Sequence, residues 1–344
     1  MRPFAISFGQ GEVMASQINR YGLTRASMSE AVRRAVRQRC GFGCVVCGNA
    51  FIEYDHFEPE FAEATTHDPE HIVLLCLLHH GMKTKSSAWL SDELIRRAAA
   101  TPKATSDGFS TFEVPQTSVH PTIVLGELTC IEVGSLIEVD GESILSIEDP
   151  EAPGAPYRVS ARLSDASGTE ILEIERNEVK ASSLSWDVRL EGARLRIWEA
   201  SRRVALHLRF EPNKIVVERL DMEFRGLRIQ IQDGNPTRLE REGQALSFYR
   251  ATVRGSRVAA RFDGRGVSIG VGGGSVQSGA MSIGSGRPQA RDSTLDRVGG
   301  ISAQRLNFPP GVEALAPGHI GIGGAVARRF CRLPANDDIF AVLP

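Results

Sequence analysis

No run of about 18 consecutive apolar residues occurs in this 344-residue chain, which excludes a membrane-spanning helix. The opening residues, MRPFAISFGQGEVMASQ, carry a single Arg. They lack the roughly 7–15-residue apolar centre of a secretory signal, because Gly9, Gln10 and Gly11 interrupt the only apolar patch. A cytoplasmic protein is the expectation. An excess of charge of one sign is also missing. Lys and Arg number 40 against 42 Asp and Glu, a net charge of -2, so composition does not advertise a polyanionic partner. Six Cys in such a chain point to metal ligands or free thiols rather than to a disulfide framework.

The length favours two domains with a tail. The pattern predicts an α+β chain in five parts: an N-terminal extension (1–26), a first domain (27–100), a Ser/Thr/Pro-rich linker (101–120), an antiparallel all-β domain (121–233) and a Gly-rich, partly irregular C-terminal region (234–344). In SMSEAVRRAVRQRCG, Ser27 and Glu30 have the spacing of a capping box. Met28, Ala31, Val32, Ala35 and Val36 recur at helical spacing, and Gly41 is the expected stop. Arg33, Arg34, Arg37 and Arg39 occupy the rest of that helix. A second helix is predicted to start at Ser91 and run through LIRRAAA. In RVALHLRF and GLRIQIQ, apolar and polar residues alternate with the period of strands packed on one side.

Five of the eight His lie between Tyr54 and Lys83. Just upstream stand Cys44 and Cys47, followed by Gly48. Two thiolates three positions apart can hold one tetrahedral metal from a tight turn, and the Gly lets backbone N–H groups face the sulfurs. Cys76 and His79 repeat the spacing, giving a Cys3His set with the chemistry of structural zinc. Cys40 offers an alternative to one of the first pair, and His80 an alternative to His79. Zinc matters to so short a domain, which buries little apolar surface, because a structural ion contributes about 10–16 kcal/mol. His56, His67, His71 and His80 then need another explanation. His67, in a TTHDPE turn, reads as an ordinary loop residue.

The ordered string Cys44-x2-Cys47-Gly48, Asp55-His56-Phe57-Glu58-Pro59 and His71-Ile72-Val73-Leu74-Leu75-Cys76-x2-His79-His80-x2-Lys83 resembles the HNH endonucleases, over residues about 34–86 only. His71 stands where that family usually has Asn, and His79 where it usually has a Cys. The resemblance implies a ββα-metal core with a zinc knuckle, acting on DNA. By it His56 is the general base, and Asp55 and His80 hold one Mg²⁺ or Mn²⁺. His71 would brace the loop carrying His56 or serve as a further ligand. Lys83 and Lys85, with Arg33, Arg34 and Arg37, could meet phosphates. Strict alternation would send the Asp55 and His56 side chains to opposite faces of a regular strand. A bend or strand end near Pro59 is therefore needed to bring both to one site. The alternative is a zinc-dependent module that binds nucleic acid or protein without cutting. In either case the β-rich region could dock a protein partner or a second copy.

Overall fold

The computed structural model describes residues 18–85, 89–264 and 266–285, and the backbone of short strands at 301–302, 306–307 and 340–342. Most of the N-terminal extension, and the turn-rich and Gly-rich tail from 286 onward apart from those strands, lie outside the described residues. The chain divides into two compact units at Gly108. Within 101–120, where a linker is expected, residues 103–107 form a helix and 109–113 a strand.

Unit 1 begins with a 3-10 turn, Arg25–Ser27, whose N-cap Thr24 accepts from the Ser27 amide. That turn displaces the expected capping box. Ser27 lies inside it, Met28 is extended, and the helix α1 (Glu30–Arg39) is capped by Ser29, whose hydroxyl accepts from Val32 N. Gly41 and Phe42 both take positive φ, and a Cβ on Gly41 would sit 2.7 Å from Thr105 Oγ1, so only glycine fits where the chain leaves α1. Strand β1 (Ile52–His56) pairs antiparallel with β2 (Ile72–Cys76), Asp55 opposite Val73 and His56 opposite Ile72. Every residue of β2 is buried, since α1 and the following helix α2 (Leu77–Thr84) both pack on it. This explains its unbroken apolar run. Helix α3 (Asp92–Ala100) starts from Ser91 as the pattern predicts, and its Ile95 joins Val36, Ile72 and Leu74 in the core. Helix α4 (Lys103–Asp107) closes the unit, Lys103 N donating to Val45 O at 2.9 Å.

Unit 2 is β-rich, so the described residues are mainly sheet with a few helices. Its strands include β3 (Phe109–Glu113), β4 (Thr122–Leu125), β5 (Leu128–Ile131) and β6 (Ser135–Val139). Among the described residues, unit 2 builds one sheet of ten strands and one of thirteen. The antiparallel pairing expected for 121–233 is corrected at three places. β4 runs parallel to Lys214–Phe224, β5 to Ala251–Arg254 and β6 to Val258–Asp263. Period-two alternation cannot distinguish the two pairings, because both put alternate side chains on one face. In Leu227–Gln232 the alternation holds, with Leu227, Ile229 and Ile231 buried. Among the described residues, no helix is long and apolar enough to cross a membrane.

Candidate metal centre and the adjoining histidines

The knuckle hangs from β2. Val45 N donates to Leu74 O at 2.9 Å, and Gly48 N (φ +78°) closes the turn on Cys44 O at 2.8 Å. Cys76 ends β2 as the N-cap of α2, and His79 lies in the first turn of that helix. The four ligand atoms of Cys44, Cys47, Cys76 and His79 lie within 4.8 Å of one another. Cys47 Sγ is 3.8 Å from Cys76 Sγ, and His79 Nδ1 is 3.5 Å from Cys44 Sγ and 3.2 Å from Cys76 Sγ. Zinc–ligand bonds of about 2.3 Å (S) and 2.0 Å (N) set tetrahedral edges near 3.8 Å and 3.5 Å. The group is therefore the right size for zinc. The Cys44 thiol is held down to about 5, chiefly by the hydrogen bond from Cys47 and, against the effect of burial, by backbone N–H groups of Cys76, Cys47 and Val46. The same contact pushes Cys47 up. Cys40 stays outside this group. It is fully buried and its thiol is pushed up to about 11 by that burial.

His79 and His80 separate cleanly. His79 joins the cysteines, while the His80 ring turns away from them toward β1. Its Nδ1 contacts Glu53 Oε2, and its Nε2 is 3.4 Å from Asp55 Oδ1. Glu53 and Asp55 are two positions apart on a strand and share a face, which is the signal in the sequence that could have revealed Glu53. With Nδ1–H donated to Glu53, the remaining lone pair on Nε2 faces a carboxylate. Two acceptors in that position are held together by a positive charge, a proton or a metal ion. A carboxylate and a carboxylate-oriented imidazole suit a divalent ion that keeps water in its other positions. Asp55 Oδ2 is taken by Lys83 Nζ at 2.6 Å, which also donates to His56 O at 2.9 Å.

The strand ends at His56, and a cis peptide follows at Glu58–Pro59. The Asp55 carboxylate meets Lys83 and His80, while the His56 ring meets Phe61 and His67. Both are buried, at 4% exposure for Asp55 and 2% for His56. The His56 ring lies edge-on to Phe61 and its Nε2 is 3.1 Å from His67 Nδ1. Burial first, then repulsion from His67, Arg25 and Lys83, holds the imidazole down to about 4, so the ring is neutral at ordinary pH.

Three expectations change here. His67 is not a mere loop residue but the hydrogen-bond partner of His56, and nothing local in TTHDPE signals that. The His71 side chain is half exposed, its Nε2 3.9 Å from Asp68 Oδ2. The bracing of the His56 segment comes instead from the His71 backbone carbonyl, which accepts from Phe57 N at 3.2 Å. Arg37 is buried, donating to Tyr54 Oη at 2.6 Å and Glu30 Oε1 at 2.7 Å, so its guanidinium faces inward. Arg33 donates to Met28 O at 3.2 Å and lies over the Tyr54 ring, and Arg34 is 4.0 Å from Glu30. Lys85, the C-cap of α2, is exposed.

His79→Ala is expected to lose the bound metal, and His80→Ala to keep one equivalent, both read by metal analysis of the purified chain. The reverse pattern would exchange their positions.

Compared with known proteins, the chain matches no family model, no curated protein and no solved structure.

Proposed function

We propose that unit 1 is a metal-dependent endonuclease of the HNH type, in which β1, β2 and α2 form the ββα-metal core and DNA is the substrate. The observation that carries this is the strand end Asp55-His56. A carboxylate faces the His80 imidazole at 3.4 Å, and next to it in the chain stands a buried imidazole whose Nδ1 has no hydrogen-bond partner among the described residues. Zinc on Cys44, Cys47, Cys76 and His79 is structural. Mg²⁺ or Mn²⁺ on Asp55 and His80, when bound, supplies Lewis-acid stabilisation of the phosphate.

The chain's own residues do the rest. His56 takes the proton from a water whose oxygen attacks phosphorus. The bond from phosphorus to the leaving oxygen breaks, and that oxygen leaves as an alcohol after gaining a proton from solvent. Lys83 clamps Asp55 to the end of β1, and Glu53 holds the His80 ring. The exposed Lys85 and the partly exposed Arg33 and Arg34 are assigned to phosphate contact, with the buried Arg37 a support. The β-rich unit 2 is assigned to docking, on DNA, on a protein partner or on a second copy.

The test is nicking or linearisation of supercoiled plasmid by the zinc-loaded chain with Mg²⁺ or Mn²⁺, beside an EDTA control. Metal-dependent cleavage is expected. A folded, zinc-loaded protein that binds DNA yet leaves plasmid, linear duplex and single strands intact would replace the nuclease by a zinc-dependent binding module.

A further inference from the structure

His56 and His67 form a directional chain whose proton positions can be deduced. Thr24 O is a carbonyl and can only accept. His67 Nε2 lies 2.9 Å from it, so that nitrogen carries hydrogen. Ser27 Oγ, 3.0 Å from the same nitrogen, spends its own hydrogen on Thr24 O at 2.7 Å and accepts as well. In the neutral ring His67 Nδ1 is then a lone pair. The group facing it at 3.1 Å, His56 Nε2, must donate. This leaves His56 Nδ1 without hydrogen. His56 Nδ1 is buried and has no hydrogen-bond partner among the described residues, so it makes no competing demand on the ring and the His67 contact alone sets the tautomer.

The surroundings hold this arrangement in place. The Asn19 side-chain amide donates to Phe61 O and Ala64 O, both at 2.7 Å, fastening the loop that carries His67 to the segment that carries Thr24. Phe61 closes over the His56 ring, and Arg25 lies over Phe61 at 4.8 Å. The 3-10 turn Arg25–Ser27 is therefore more than a prelude to α1, because it presents the Thr24 carbonyl.

We propose that His67 is a positioning residue that fixes His56 in the Nε2–H tautomer and so makes Nδ1 the only atom of that ring able to accept a proton. The use of Nδ1 in hydrolysis rests on the nuclease reading above; the tautomer does not. Selective ¹⁵N-histidine labelling and long-range ¹H–¹⁵N correlation on the wild-type, zinc-loaded chain report which nitrogen of His56 is protonated. The expected result is hydrogen on Nε2 and a bare Nδ1. His67→Phe is expected to mix the tautomers and lower kcat about 10- to 100-fold, the range for removing an orienting partner, with KM little changed. His67→Asn, which keeps an acceptor near the Nδ1 position, is expected to recover much of that loss. Hydrogen on His56 Nδ1 in the wild type, a doubly protonated ring, or an unchanged tautomer in His67→Phe would overturn the proposal, and the wild-type spectrum needs no variant to fold. A wild type that shows the expected tautomer but cuts no DNA would sink the nuclease reading and leave the tautomer assignment standing.

Discussion

Cys44→Ser is expected to unfold unit 1 while unit 2 keeps its sheets. Cys44 is fully buried and supplies one of four ligand atoms drawn together from the knuckle, the end of β2 and the start of α2. The apolar core around it is small, with Val36, Ile72, Leu74, Leu75 and Ile95 at its centre. Truncating one of those side chains costs about 2–5 kcal/mol, whereas a structural zinc contributes about 10–16 kcal/mol. A domain's net stability is about 5–15 kcal/mol, so the metal outweighs any single packing contact. Metal analysis should fall from one equivalent to none, and residues 30–100 should lose hydrogen-exchange protection while the sheets of unit 2 retain theirs. A variant that still holds one equivalent with unit 1 protected would remove Cys44 from the site.

His56→Ala is expected to abolish cleavage, by about 100- to 10,000-fold as for a lost general base, with zinc retained. The cavity left by a buried ring costs about 3–5 kcal/mol, within the net stability of about 5–15 kcal/mol of a domain, so zinc-loaded unit 1 is expected to stay folded. Wild-type cleavage in this variant would dismiss His56 as the base. The depressed pKa adds a second measurable consequence. The folded His56 stays unprotonated down to about 4, while an unfolded histidine titrates near 6.5. Between those values the unfolded chain binds more protons. Stability contributed by the neutral ring is therefore complete above about 6.5 and declines as pH falls toward 4. Chemical denaturation of unit 1 at pH 7.5, 6 and 5 should show that decline in the wild type, and less of it in His56→Ala. Equal slopes would show that His56 is not the group responsible.

The metal ligands could be read from the chain because each pair sits within one turn, where spacing of three residues dictates reach. Asp55 and His80 were legible only as part of a longer ordered string. The His67–His56 contact was not legible, since it joins a loop to a strand end eleven residues away through tertiary folding alone. Ser29 displaced Ser27 as the cap because Thr24 had already drawn Ser27 into a tighter turn. In unit 2, Asp140-Gly141 announces a two-residue hairpin. Arg176-Asn177 makes the same positive-φ turn with no comparable signal, since an Arg with left-handed φ is imposed by the flanking strands. Parallel pairing of β4, β5 and β6 with strands more than eighty residues later is likewise a property of the assembled sheets and not of any local pattern.

Helix α2 is only eight residues long, yet it carries His79 on one side and His80 and Lys83 on another. Consecutive positions on a helix are about 100° apart. Whatever pins His79 to the three sulfurs therefore also sets the rotational phase of the helix, and with it where His80 and Lys83 meet Asp55. A metal held in the knuckle would act as an indexing pin. Chelating it would scramble the Asp55 side of the strand at a distance, with Asp55, His80 and Lys83 all chemically intact.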